Sequence, residues 1–178
     1  MPTDRDVPFL PLASAACNRI LLEQGVTALG QLSCGQYGDA RARHSSVGAQ
    51  FRHILDHYAA LFDGMAGGRV NYDARVRDRT LEQDPAAAVA AARCWIAALE
   101  GLDSNAADRR LLVHTDSGGG PAAPDWREST VGRELQFLAS HTVHHFALIK
   151  LLLEWHDVAL DDEFGMAPST RAHMAATR

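Results

Sequence analysis

The sequence lacks a surplus of positive charge. It has 17 Lys and Arg against 22 Asp and Glu, which gives a formal net charge of -5 at pH 7. Proteins that bind nucleic acids or anionic membranes neutralise phosphates with basic patches. We therefore expect neither as a main partner, and a small molecule remains the expected ligand.

Long apolar runs are also missing. The charged start, Met1 to Asp6, is followed by no apolar stretch of the length that a signal peptide or a spanning helix needs. We therefore expect a soluble, cytoplasmic protein.

Cysteine is scarce. The three cysteines, Cys17, Cys34 and Cys94, form neither a CxxC pair nor an even disulfide set. Isolated cysteines in helical proteins mostly serve as small buried side chains, so we expect no chemistry from these thiols.

What the chain does contain is helical periodicity. Its 178 residues, 47% of them hydrophobic, suit a single domain, residues 1–178, with one core. Four segments carry apolar residues at every third or fourth position and are bounded by Ser, Thr, Asp, Pro or Gly. These are Pro11 to Glu23 or as far as Leu32, Ser45 or Ser46 to Gly67, Asp84 to Gly101, and Ser129 or Thr130 to Trp155. The pattern predicts an all-α four-helix bundle.

Two connections are longer than is usual between packed helices. The first, Gly68 to Gln83, is rich in charged residues. In the second, Leu111 to Thr115 and Asp125 to Ser129 are expected to pair as a short hairpin around Gly118 to Pro121.

The end of the chain shows a weaker pattern. Phe164 to Thr170 contains Gly and Pro, which indicate an ordered turn. After about residue 171 we expect a frayed tail.

Histidines concentrate on two of the predicted helices. His141 and His145 are one helical turn apart, so both imidazoles project from the same face of the fourth helix and can converge on one ion. His53, at the edge of the apolar stripe of the second helix, is the third candidate ligand, as in metal sites assembled inside helix bundles. Three imidazoles would leave coordination positions open for water or substrate.

Known motifs narrow the type of site. Thr142 stands where a zinc-protease HExxH motif requires Glu, and no Glu stands three residues before His141 or His145, as a di-iron site would require. The donors suit one divalent zinc, nickel, iron or manganese ion. His144 could replace His145, because it lies three residues after His141.

For the other histidines, a role in packing or hydrogen bonding is the simpler interpretation. His57 and His144 are also candidates to orient the ligands or to face a substrate. His44 precedes the second helix, and for it we prefer the structural interpretation.

The chain resembles the DinB/YfiT-like superfamily of metal-binding four-helix bundles. The resemblance is carried by residues 46–58 (SVGAQFRHILDHY) and 140–149 (SHTVHHFALI), and further by residues 71–77 and 164–170. It implies one ligand in the second helix and an HxxxH pair in the last, which correspond to His53, His141 and His145. In the family an Arg and a polar residue often follow the pair, whereas Phe146 and Ala147 follow it here, so substrates of relatives transfer poorly.

The resemblance implies a metal-dependent transferase or hydrolase, for which a low-molecular-weight thiol is the candidate cosubstrate. Arg75 or Arg77 could then bind a substrate carboxylate, although both could equally form surface ion pairs. Tyr37, Tyr58 and Tyr72 could donate to a metal-bound anion, with core packing the alternative for Tyr58. Two further alternatives are a non-catalytic metal-dependent stress-response or small-molecule-binding module and a metal-free bundle with a histidine network. A homodimer is expected, since the Ala-rich third helix presents a smooth face.

Overall fold

The computed structural model describes residues 12–39, 45–115 and 125–177, apart from the side chains at 168 and 169. In this part of the chain four long helices form the bundle: α1 (Ala13–Leu29), α3 (Val47–Gly67), α5 (Pro85–Glu100) and α6 (Val131–Glu154). Helices α2 (Cys34–Gly38), α4 (Arg79–Gln83) and α7 (Pro168–Ala176) are shorter. The predicted helical bundle is confirmed.

The predicted helix starts coincide with side-chain caps. Ser46, Asp84 and Thr130 each accept a hydrogen bond from the first turn of α3, α5 and α6, respectively. Such caps satisfy amide N–H groups that have no partner within the helix. This local chemistry explains why the boundaries of these helices were readable from the sequence.

Gly25 does not end the first helix. It lies inside α1, where a Cβ atom would stand 3.1 Å from both Phe51 and Phe146. The missing side chain lets the rings of α3 and α6 approach α1 closely, and the helix continues to Leu29. Phe146, which interrupts the family pattern after the HxxxH pair, is thus a core residue.

A small sheet fills the long connections. The predicted hairpin is confirmed: β2 (Arg110–His114) pairs antiparallel with β3 (Arg127–Thr130), and Leu111 lies opposite Ser129. The turn around residues 118–121 lies outside the described residues. A strand that the sequence analysis did not predict, β1 (Arg69–Asn71), adds to β2 in parallel and anchors the first connection.

The end of the chain folds back onto the bundle. Phe164 stacks on Phe146 with ring centroids 4.4 Å apart, which agrees with the ordered turn expected there. The segment that was expected to fray after about residue 171 lies in α7, where Arg171 pairs with Glu163 at 2.9 Å. Among the described residues, no helix is long and apolar enough to cross a membrane.

Helices α3 and α6 pack against each other, and α1 and α5 complete the bundle. Because the two helices that carry the clustered histidines are direct neighbours, their facing side chains meet at one level of the bundle.

Candidate metal centre

Three imidazoles from α3 and α6 converge on one point. His53 Nε2 lies 3.1 Å from His141 Nε2, and His145 Nε2 lies 3.2 Å from the same atom. One ligand atom of each residue lies within 4.8 Å of the other two. We call His53, His141 and His145 the three-histidine cluster.

The cluster has the chemistry of a metal site. Each neutral imidazole carries one proton and one lone pair, so the closely spaced Nε2 atoms cannot all be satisfied by hydrogen bonds to one another. A cation between them would satisfy all three lone pairs. With metal–nitrogen bonds of about 2.05 Å, nitrogens 3.1 to 3.2 Å apart subtend roughly 100° at the ion, near the tetrahedral value.

One buried atom of the cluster has no hydrogen-bond partner in the part of the chain that the structure describes. His141 Nδ1 is buried and has no hydrogen-bond partner among the described residues. Buried polar atoms without partners are rare and call for an explanation. Coordination through Nε2 would hold the ring in place but would leave the proton on Nδ1 without an acceptor, so this atom distinguishes the ring from that of His145, whose Nδ1 has a partner.

The electrostatics favour the neutral, ligand-competent rings. Burial, which disfavours the charged imidazolium, is the main cause that lowers the pKa of His53 to about 3, of His141 to about 2 and of His145 to about 4. Repulsion between neighbouring imidazolium charges lowers these pKa values further. At neutral pH the three rings are therefore uncharged, and each keeps one nitrogen lone pair that a metal ion could use.

Gln50 orients one of the candidate ligands. His145 Nδ1 lies 2.5 Å from Gln50 Oε1, while Gln50 Nε2 donates to Ser45 Oγ at 2.9 Å. With its amide held this way, Gln50 accepts the Nδ1 proton of His145 and leaves the Nε2 lone pair directed at the cluster. Metal-binding histidines commonly have such a partner on the other ring nitrogen.

His57 forms a wall of the site. Its Nδ1–H donates to the carbonyl oxygen of His53 at 2.7 Å, and its ring centroid lies 4.2 Å from that of His141. The Tyr72 ring stacks on the His57 ring with centroids 5.5 Å apart, and the Tyr72 hydroxyl donates to Glu134 Oε2 at 2.8 Å. Since Tyr72 is buried and its hydroxyl is engaged, it positions His57 and does not present its hydroxyl to a ligand.

The two candidate arginines differ in placement. Arg75 Nη2 lies 3.3 Å from His53 Nδ1, and Arg75 Nη1 donates to the carbonyl oxygen of Tyr72 at 2.5 Å. Arg77 is exposed on the same connection. The structure thus brings Arg75, and not Arg77, against the cluster.

Other candidates lie away from the convergence point. Tyr58 is fully buried, and its hydroxyl donates to Asn18 Oδ1 at 2.6 Å, with Thr142 Oγ1 at 3.3 Å. Tyr37 is also buried, and its hydroxyl donates to the carbonyl oxygen of Leu81. Both are core residues, as the packing alternative for Tyr58 anticipated, and neither hydroxyl is available to a ligand.

The remaining histidines are also separate from the cluster. His144 is exposed, and its ring only contacts the edge of the His145 ring, with centroids 5.2 Å apart. The structure therefore places His145, and not His144, beside His141. His44 lies outside the described residues.

Sequence reasoning missed Gln50 and Glu134. Gln50 stands three residues before His53, so it shares a face of α3 with that ligand. That spacing was a usable signal, but its partner is 95 positions away in the sequence. Glu134 is buried and accepts from Tyr72 and Ser129, which no local pattern indicates.

Comparison with known proteins gives a family match. The model of the DinB superfamily matches residues 25–149, a span that includes the three-histidine cluster. The curated proteins and the solved structures gave no match.

Proposed function

The chain belongs to the DinB superfamily, and on that premise we propose that it holds one divalent transition metal ion through His53, His141 and His145 as the centre of a metal-dependent enzyme. The resemblance drawn from the sequence is thereby confirmed at the level of the family. The observation that carries the proposal is the convergence of three Nε2 atoms: those of His53 and His145 lie 3.1 and 3.2 Å, respectively, from that of His141.

The donor set favours zinc, nickel or iron over manganese, since imidazole nitrogen suits the first three ions and manganese prefers oxygen ligands. Three protein ligands are typical of catalytic sites, which leave a position for water or substrate, whereas structural sites mostly use four protein ligands. When bound, such an ion supplies Lewis acidity and lowers the pKa of a coordinated water or thiol. We therefore favour a transferase or hydrolase over a purely structural site.

The chain's own residues prepare this chemistry. Gln50 fixes the orientation of His145, and the stacked pair of His57 and Tyr72 closes one side of the cluster. The three rings of the cluster are partly buried, and the lower effective dielectric at such a position strengthens electrostatic interactions between ligand and protein. As cosubstrate we propose a low-molecular-weight thiol, which the family resemblance suggests.

The first test measures metal content by elemental mass spectrometry. Wild-type protein purified without chelators is expected to retain about one transition metal per chain, as one three-histidine site requires. His53→Ala, His141→Ala and His145→Ala should each lose it. The matched control is His144→Ala, which removes an exposed neighbouring imidazole and should keep the metal. A wild-type protein that takes up no metal even after reconstitution would sink the proposal and leave a histidine network in the core.

The second test addresses catalysis. Metal-loaded and metal-free proteins are compared in glutathione conjugation to 1-chloro-2,4-dinitrobenzene and in p-nitrophenyl acetate hydrolysis. A rate that requires both the metal and His141 supports an enzyme. Metal retention without either rate would instead favour the non-catalytic binding module. A small-molecule substrate, a cytoplasmic location and a homodimer remain predictions from the sequence.

A further inference from the structure

Arg75 makes a contact that conflicts with metal binding at His53. A guanidinium has only N–H donors and no acceptor. Since Arg75 Nη2 lies 3.3 Å from His53 Nδ1, a hydrogen bond there requires a bare Nδ1 and places the ring proton on Nε2. His53 Nε2 then donates to the lone pair of His141 Nε2 at 3.1 Å, and the Nε2 lone pair of His145, 3.2 Å from the same atom, has no donor within the cluster.

Coordination through His53 Nε2 reverses this proton position. The neutral ring must then carry its proton on Nδ1, where it would face a donor of Arg75. Two donors cannot share a hydrogen bond, so the Arg75 contact and the metal exclude each other at His53. The guanidinium must leave Nδ1 when the ion binds.

The edge of Arg75 that becomes free is the one that pairs with carboxylates. Nε–H and an Nη2–H point in parallel and together donate to both oxygens of a planar carboxylate. Arg75 Nε is buried and already lacks a partner among the described residues. Metal binding would remove the acceptor of Nη2 as well, so both donors of this edge would need a new acceptor beside the metal.

The surrounding charge points the same way. Burial is the main cause that lowers the pKa of Arg75; the positive charges of Arg77 and Arg52 lower it further, while Asp56 and Asp73 oppose the shift. The carboxylate of Asp56 is already bonded to Arg52 at 3.0 Å. A divalent ion adds positive charge to this surface, and an anionic group on the ligand would offset it.

We propose that Arg75 is the anchor for a carboxylate of the ligand and that it passes from His53 Nδ1 to that carboxylate when the metal binds. This inference rests on the proposed metal site and adds the class of ligand: a small molecule with a carboxylate group. Metal and carboxylate binding are then positively coupled, because each favours the position of Arg75 that the other requires.

The test measures Zn²⁺ affinity by competition with a chromophoric chelator, in the presence of acetate or of its neutral counterpart acetamide. Chelator-only titrations correct for the weak binding of Zn²⁺ to acetate. Arg75→Gln and Arg75→Met should bind Zn²⁺ about tenfold more tightly than wild type without acetate, since neither opposes the proton on Nδ1. The matched control is Arg77→Gln, which removes a nearby exposed charge and should behave as wild type.

Acetate, but not acetamide, should tighten Zn²⁺ binding at least about fivefold in wild type and in Arg77→Gln, and should have no effect in Arg75→Met. If wild type binds Zn²⁺ and both Arg75 variants match it, the inference fails while the metal site stands. Coupling to inorganic phosphate but not to acetate would overturn the carboxylate assignment. Absence of Zn²⁺ binding in wild type would overturn the metal site and the inference together.

A direct readout of the proton position does not depend on any variant. Long-range ¹H–¹⁵N spectra of histidine-labelled wild type should show His53 with its proton on Nε2 in the metal-free protein and on Nδ1 after Zn²⁺ is added. A proton on Nδ1 in both states would refute the exchange at Arg75.

Discussion

Replacement of Gln50 by Leu should weaken metal binding without unfolding the protein. Gln50 Oε1 lies 2.5 Å from His145 Nδ1 and is the acceptor that keeps the ring proton off Nε2. Leu has nearly the same size but no acceptor, so the ring would lose both its fixed proton position and its orientation. Loss of such a partner typically lowers metal affinity by about 10-fold to 100-fold, or about 1.4 to 2.7 kcal/mol.

Two further variants test the same contact, one expected to strengthen metal binding and one expected to weaken it. Gln50→Glu supplies a charged acceptor, makes the His145 ring more basic and should tighten Zn²⁺ binding. Ser45→Ala removes the 2.9 Å contact that holds the Gln50 amide and should cause a smaller loss than Gln50→Leu, because the amide can still reach His145.

Competition titration with a chromophoric chelator measures these affinities, and far-UV circular dichroism verifies the fold. The matched control is Gln136→Leu, the same change at an exposed position of α6. A Gln50→Leu protein that is folded and binds Zn²⁺ within about twofold of wild type would refute the reasoning, because the typical loss for such a partner is far larger.

Three other predictions concern stability. Burial lowers the pKa of each ring of the three-histidine cluster to about 4 or below, so below about pH 6.5 the unfolded chain binds more protons than the folded protein. The free energy of unfolding of the metal-free protein should therefore fall as the pH is lowered towards about 4. Urea titrations measure this free energy, and a free energy that does not depend on pH would contradict the prediction. Gly48→Ala should destabilise the protein by about 1–3 kcal/mol, because its Cβ would lie 2.1 Å from a backbone oxygen. Gly67→Ala, whose Cβ meets nothing within 4 Å, is the control, and equal thermal midpoints of the two variants would argue against the close approach at Gly48. Tyr58→Phe should lower the free energy of unfolding by about 1–3 kcal/mol, because the buried Asn18 Oδ1 loses its donor, and should leave the Zn²⁺ affinity unchanged. A weaker Zn²⁺ affinity in the folded variant would place Tyr58 in the metal site.

The sequence allowed only part of the small sheet to be predicted. The hairpin of β2 and β3 was predictable because its strands are separated by a turn-forming stretch. Strand β1 has only three residues, and it exists because Val70, in the connection after α3, pairs with Val113, in the connection after α5. A segment this short has too little periodicity to be recognised, so only the tertiary structure defines it.

The sequence by itself determined the four long helices and the spacing of the candidate ligands. Helix periodicity and caps are local, and the four-residue separation of His141 and His145 places both on one face whatever the rest of the fold does. His53 was proposed from its place at the edge of the apolar stripe of the second helix, and the family resemblance, which depends on short contiguous motifs, supported the same residue.

Only the tertiary structure decided which groups surround those ligands. Gln50 reaches His145 across 95 positions of sequence, and Arg75 reaches His53 across 22. The tertiary structure also distinguishes two arginines that look alike in the sequence, because it places Arg75 at the cluster and leaves Arg77 exposed. Hydrogen bonds between distant segments depend on how helices and loops pack, and packing is a property of the whole chain that no local pattern encodes.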